Sequence, residues 1–315
     1  MKQVIKKINL ERILLNKINI ETIKLIRSNL LGEIFLVKTK DKKDVYVINK
    51  NQIKKQKKAF YIMSILKKEN ILAPEPLFYL NKENLLIYKS LNGLPYLNKL
   101  KKNNSTIDLC KDINKLCKLI FSFHKIDYKK IKNIKKETKN NLIYEKKWWQ
   151  DTIKKNAGKK YTEKLFTFQN FLFKKYFNNW NIIKFKLTHN DFTLDNIIEY
   201  KNKFGLIDFY DALISDPIKD IASFNVRLLM MANKFPKQYS NIKLKKSDII
   251  KIEKNFINHY LKISKDKKYF NLRYIFWKNF WFSRMYSWFV EVEKYSPKSA
   301  SFLLKNIYSL SNNIL

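Results

Sequence analysis

Residues 187–222 read LTHNDFTLDNIIEYKNKFGLIDFYDALISDPIKDIA. His189 and Asp191 form H-x-D, Asn196 follows Asp191 by five residues, and Asp208 comes after the apolar run Gly205-Leu206-Ile207. Asp211, Asp216 and Asp220 complete the set. A lone H-x-D carries little information, but the ordered series carries much more, because each member suits one task in handling phosphate. An Asp on a loop can accept or orient a hydroxyl proton. The amide oxygen of Asn and the carboxylate of an Asp at the end of the next hairpin strand are hard oxygen donors, suited to Mg²⁺ held against phosphates. On this reading Asp191 is the base or hydroxyl-orienting group, Asn196 and Asp208 are metal ligands, and His189 braces the loop. A solvated surface hairpin has no use for these residue types at these intervals.

The stretch resembles the catalytic core of the aminoglycoside phosphotransferase and choline kinase superfamily. There H-x-D-x-x-x-x-N is followed by I-D-[FW] and by D-P-x-x-D-[IL]-A, present here as Asp216-Pro217-Ile218-Lys219-Asp220-Ile221-Ala222. The resemblance implies an α+β, protein-kinase-like two-lobed fold. A small antiparallel-sheet N-lobe over residues 1–91 would cover the nucleotide, and a mostly helical C-lobe over 92–315 would carry the catalytic loop and acceptor pocket. It implies ATP and Mg²⁺, a small hydroxylated acceptor, and a supporting role for Asp220 beneath the loop. The H-N-D form of residues 189–191 resembles choline kinase-like proteins and favours a choline or ethanolamine-type amino alcohol. The run Ile207-Asp208-Phe209-Tyr210-Asp211-Ala212-Leu213-Ile214 resembles cell-wall amino-sugar kinases and keeps a sugar acceptor open.

Upstream, residues 28–37 and 44–50 read as two strands around a charged turn. Gly32 is all that stands for a glycine-rich loop. The resemblance asks for a phosphate-binding lysine on the second strand; Lys50 is the candidate, although the simplest alignment puts Asn49 there. A helix over 52–68 should then offer a Glu partner, yet no acidic residue occurs between Asp44 and Glu69. That departure motivates the alternative of a non-catalytic nucleotide-binding relative. Leu85–Tyr88 reads as the strand entering the hinge, with Tyr88 near the nucleotide base and a lobe boundary at Asn92-Gly93. Apolar positions 109, 113, 116, 119, 120 and 123 mark a helix that ends in a structural His124.

The formal charge of +38 comes from 65 basic against 27 acidic residues, but only five of the basic ones are Arg. Recognition of bases and phosphates favours the guanidinium fork, so this Lys-dominated surplus does not indicate a dedicated nucleic-acid partner. Cys110 and Cys117 lie seven apart without a metal pattern, which fits a reduced cytoplasmic setting. The N-terminal 26 residues read as an amphipathic helix, interrupted by charge too often to span a membrane. Toward the C-terminus, Trp277, Trp281, Trp288 and Glu291, with Asp211 from the catalytic stretch, are the acceptor-pocket candidates. An aromatic box beside a carboxylate would suit a quaternary ammonium.

Overall fold

A computed structural model describes residues 19–29, 32–41, 44–49, 53–82, 84–103, 106–132, 134–157 and 159–312. The chain divides into two compact units, one of Met1–Pro95, Lys129–Ile134 and Asn196–Asp211, the other of Tyr96–Tyr128, Lys135–Asp195 and Ala212–Leu315.

The first unit is built on a five-stranded antiparallel sheet in the order β1-β2-β3-β5-β4. Its strands are β1 (Ile20–Asn29), β2 (Gly32–Thr39), β3 (Asp44–Asn49), β4 (Glu75–Leu80) and β5 (Leu85–Lys89). One face carries Ile23, Phe35, Val37, Val45, Leu85 and Ile87, all buried. β1 corrects the expectation of a helix running through Ile26. Ile23 is buried and Leu25 half-buried, while Thr22, Lys24 and Ile26 are exposed, a period of two that only a strand produces. Residues 1–18, where the rest of that helix was expected, lie outside the described residues.

Helix α1 (Ile53–Lys68) links β3 to β4. A second, three-stranded sheet joins β6 (Leu94–Pro95) to the hairpin of β8 (Ile197–Tyr200) and β9 (Lys203–Leu206). The hairpin turns at Lys201 and Asn202, both with left-handed backbone (φ 49° and 61°), as a two-residue turn between twisted strands requires. Leu206 N–H donates to the carbonyl of Leu72 at 2.9 Å, tying the hairpin to the segment ahead of β4. Gly205 permits that approach, since a Cβ there would stand 2.6 Å from the same carbonyl oxygen.

The second unit is helical: α2 (Tyr96–Asn103), α3 (Thr106–His124), α4 (Lys139–Asn156), α5 (Lys159–Asn178), α6 (Ile218–Ala232), α7 (Lys246–Ser264), α8 (Phe270–Ser287) and α9 (Pro297–Asn312). A short antiparallel pair, β7 (Lys186–Thr188) and β10 (Leu213–Ser215), brackets residues 189–212. The aromatics of α5 and α8 interlock, Tyr176 stacking on Phe276 with centroids 3.8 Å apart. Asp216, fully buried, is held by Arg273 (Nη2 2.5 Å, Nε 2.9 Å), Trp277 Nε1 (3.0 Å), the Tyr176 hydroxyl (3.1 Å) and the Ile218 N–H (3.0 Å). A buried carboxylate with every lone pair engaged is the arrangement that offsets its desolvation. No helix among the described residues is long and apolar enough to cross a membrane.

Candidate active site

The loop after β7 is shaped by one carboxylate. Asp220, in the first turn of α6, accepts the His189 N–H at Oδ2 (2.7 Å) and the Asn190 N–H at Oδ1 (2.7 Å). Two successive N–H groups can point at one carboxylate only if the chain turns sharply, and Asn190 does so with φ 61°. Asn is among the few residues that enter this region at low cost. Asp220 Oδ2 also receives His124 Nε2 at 3.0 Å, and His124 Nδ1 meets the Tyr260 hydroxyl at 2.9 Å. An ionised carboxylate can only accept, so Nε2 is the donor in the bond to Asp220. The His189 ring is buried beside Phe123, and Asp191, next along the turned loop, is about one-third exposed.

Arg227 reaches Asp191 from α6, Nη2 standing 3.5 Å from Oδ1. Asp195 lies near the same guanidinium and accepts from the Tyr239 hydroxyl at 3.3 Å. Burial raises the Asp195 carboxyl above its ordinary range against the pull of Arg227, and burial pushes the Tyr239 hydroxyl up to about 12.

The first unit holds the other two sequence candidates. Ile207 N–H donates to the Asn196 carbonyl at 3.0 Å, closing the base of the β8–β9 hairpin. Asp208 follows with φ 64°. Asn196 and Asp208 both line a cleft of about 420 Å³, together with Ile34, Leu86, Tyr88 and Gly93. This is within the size range of small-ligand sites, and mostly apolar walls with a few polar groups are their usual chemistry. The two oxygen donors supplied by Asn196 and Asp208 fit Mg²⁺, which prefers one or two protein oxygens and keeps the rest of its shell for water and phosphate.

Gly32 opens β2 opposite Asn29, and Asn49 closes β3 opposite Glu33 and Leu85. Their side-chain surroundings, and Lys50 altogether, lie outside the described residues. The helix that lacks a Glu is anchored in the reverse sense. Lys58, buried, donates to the Tyr210 carbonyl at 2.7 Å, and Lys55 pairs with Asp211 at 2.8 Å. α1 is thus tied to the segment just after Asp208, and Asp211 is engaged there.

The proposed aromatic box does not assemble. Trp277 and Trp281 are buried, their indole N–H groups committed to Asp216 and to the Lys219 carbonyl. The ammonium of Lys219 lies over the Trp277 and Phe280 rings at 4.8 and 4.9 Å and pairs with Glu137 at 2.5 Å. Trp288 is exposed on the π-helical turn Trp288–Val292, and Glu291 there accepts from Trp148 Nε1 at 2.7 Å.

His124, read from the sequence as structural, braces Asp220, whereas Arg227 and Lys58 were missed. Arg227 had a readable signal: it is a rare Arg, seven residues beyond Asp220 and so on the same helix face. Lys58 had none, being one lysine in the run Lys54-Lys55-Gln56-Lys57-Lys58 whose partner lies 152 residues away.

The model of the phosphotransferase enzyme family (APH) matches residues 22–236. No curated protein matches the chain in sequence. Solved structures match in fold. A choline kinase from Cryptosporidium parvum Iowa II has a TM-score of 0.66 at 16% identity, over 97% of this chain and 95% of that one. The choline kinase LicA from Streptococcus pneumoniae has a TM-score of 0.61 at 13% identity, over 98% and 99%. The ADP-bound aminoglycoside phosphotransferase APH(2'')-Ib has a TM-score of 0.62 at 16% identity, over 96% and 98%. The fold is therefore the α+β kinase-like one, and the chain belongs to the APH phosphotransferase enzyme family, as a small-molecule kinase.

Proposed function

We propose that the chain transfers the γ-phosphoryl group of ATP to a hydroxyl of a small metabolite. The observation that carries this is the sharing of one cleft by Asn196 and Asp208, with an apolar wall suited to a nucleotide base. In this reading Tyr88 and Leu86 flank the base, and Asn196 and Asp208 hold Mg²⁺. The ion, when bound, neutralises charge on the phosphates. Asp191 orients the acceptor hydroxyl and takes its proton, held in place through the Asp220 contacts to the two preceding N–H groups. His189 contributes its backbone to that loop.

The acceptor reading shifts with the geometry. A choline or ethanolamine-type alcohol, favoured by the H-N-D form, needs a cation site, but Lys219 already lies over the buried Trp277 ring and Arg284 over that of Trp281. A sugar or N-acylated amino-sugar acceptor, within the second reading from the sequence, carries no cation, has no such requirement and is better supported.

Transfer of labelled phosphate from ATP across a panel of sugars, sugar acids, polyols and amino alcohols tests the reading. Asp191→Ala should cut transfer by roughly 10²–10⁴-fold while ATP affinity stays within about threefold. Asp208→Ala should lose Mg²⁺-dependent ATP binding as well. ATP binding with no transfer to any hydroxyl, or Asp191→Ala keeping most of the rate, would overturn the assignment.

A further inference from the structure

We propose that Arg227 is a specificity residue that binds an anionic group of the acceptor, making the preferred substrate a hydroxylated acid such as a sugar acid. The inference rests on the kinase reading, because it takes Asp191 as the group that receives the acceptor hydroxyl.

Arg227 projects from α6 two helical turns beyond Asp220, the residue that shapes the Asp191 loop. Its guanidinium is thereby fixed beside Asp191, with Nη2 at 3.5 Å and the side chain one-fifth exposed. Were its task only to pair with Asp191, a short or two-pronged contact would be expected, since charge-assisted bonds of this kind run at about 2.7–2.9 Å and Arg–carboxylate pairs are commonly bidentate. The contact seen is long and single. Nε–H is buried and has no hydrogen-bond acceptor among the described residues. A buried N–H donor without a partner is unfavourable, and a planar carboxylate arriving at the guanidinium fork would supply one.

The neighbouring groups on this side are Asp195, hydrogen-bonded to Tyr239, and Lys101, which also acts on Asp195. Two bases and two acids do not make a site for a cationic alcohol. Trp277 and Trp281, the aromatic residues the sequence offered for binding one, are spent in the core. The surplus of 38 positive charges draws anions toward the chain as a whole. Arg227 then gives that general attraction a specific address one side chain away from the reacting hydroxyl.

The test uses two trios of similar size whose members carry a carboxylate, no charge or an ammonium: glucuronate, glucose and glucosamine, and glycerate, glycerol and serinol. Binding to the full chain is measured by calorimetry in the presence of ADP and Mg²⁺, and phosphate transfer is measured separately from ATP. In the better-binding trio the wild type should hold the acid at least roughly tenfold more tightly than the neutral member, with the amine weakest. Arg227→Gln should compress the acid preference to within about threefold, Arg227→Lys should keep part of it, and Arg227→Glu should move the preference toward the amine. Nucleotide affinity serves as the folding control, and Arg227→Gln decides the matter if Arg227→Glu does not fold. Equal binding of all members, no binding of any, or an acid preference that survives Arg227→Gln overturns the proposal. Acid binding that follows Arg227 but leads to no phosphate transfer would leave the anion site standing and sink the kinase reading instead.

Discussion

At the scale of single residues, Asp220 shows how one side chain sets the shape of a loop from thirty residues away. Its two oxygens are divided between the His189 and Asn190 N–H groups, and His124 shares Oδ2. Asp220→Asn keeps the size but replaces one acceptor oxygen with a donor. One backbone N–H then faces an NH₂ group and is orphaned in the interior, at a cost of about 1–3 kcal/mol. These two bonds hold Asn190 at φ 61°, so the loop should relax and carry Asp191 with it. The expected outcome is a fall in kcat of at least roughly 10²-fold, because misplacement by about an ångström costs that much. ATP affinity should change little, and thermal unfolding should shift down by several degrees. A variant with normal kcat would show that the loop holds its form without this carboxylate.

Among elements, the β8–β9 hairpin was legible and the first strand was not, for different physical reasons. The hairpin sits between Asn196 and Asp208, two polar residues flanking short apolar strands around the turn Lys201-Asn202, and that pattern stands out in one sequence. Ile20–Asn29 has only its apolar spacing to speak for it. With Ile23, Leu25 and Ile26 so close together, that spacing suits either period until the pairing with β2 selects the strand. The anchoring of α1 by Lys58 was equally hidden, since a buried and a solvated lysine look the same in sequence. The hairpin also yields an element-scale prediction. A Cβ at Gly205 would lie 2.6 Å from the Leu72 carbonyl oxygen and 2.7 Å from Leu91 Cδ2. The carbonyl belongs to backbone and cannot rotate away as a side chain end would. Gly205→Ala should therefore break the Leu206–Leu72 hydrogen bond and push the hairpin outward, costing about 1–3 kcal/mol. Since Asn196 and Asp208 stand at the two ends of that hairpin, affinity for Mg²⁺-ATP should drop together with stability. Calorimetric titration and thermal unfolding of the same sample check both, and a stable variant with unchanged affinity would show the clash to be absorbed elsewhere.

Taken as a whole molecule, the chain carries 65 basic and 27 acidic residues, so 38 positive charges are left without a negative one to balance them, whatever the packing. This decides the sign of the salt response. Exposed ion pairs such as Lys55–Asp211 and Lys67–Glu75 contribute at most about 1 kcal/mol each, and salt weakens them. Repulsion from the surplus positive charge acts across the entire surface, and salt weakens that too. At about 0.01 M salt the screening length is about 30 Å and most of the surplus charges feel one another; at about 0.15 M it is about 8 Å and only near neighbours do. The buried Asp216–Arg273 and Glu137–Lys219 pairs are sheltered from ions and hardly enter the difference. Repulsion should win, so the unfolding midpoint should rise by several degrees as NaCl goes from about 0.01 M to about 0.15 M. Chloride is the ion to use, because sulfate also stabilises by exclusion from protein surface. Heparin binding measured over the same series should weaken steeply, as expected for contacts driven by counterion release. A midpoint that falls with added NaCl would mean that attractive pairing outweighs the surplus. The lysines would then have to be arranged around the few acids far more closely than their numbers suggest.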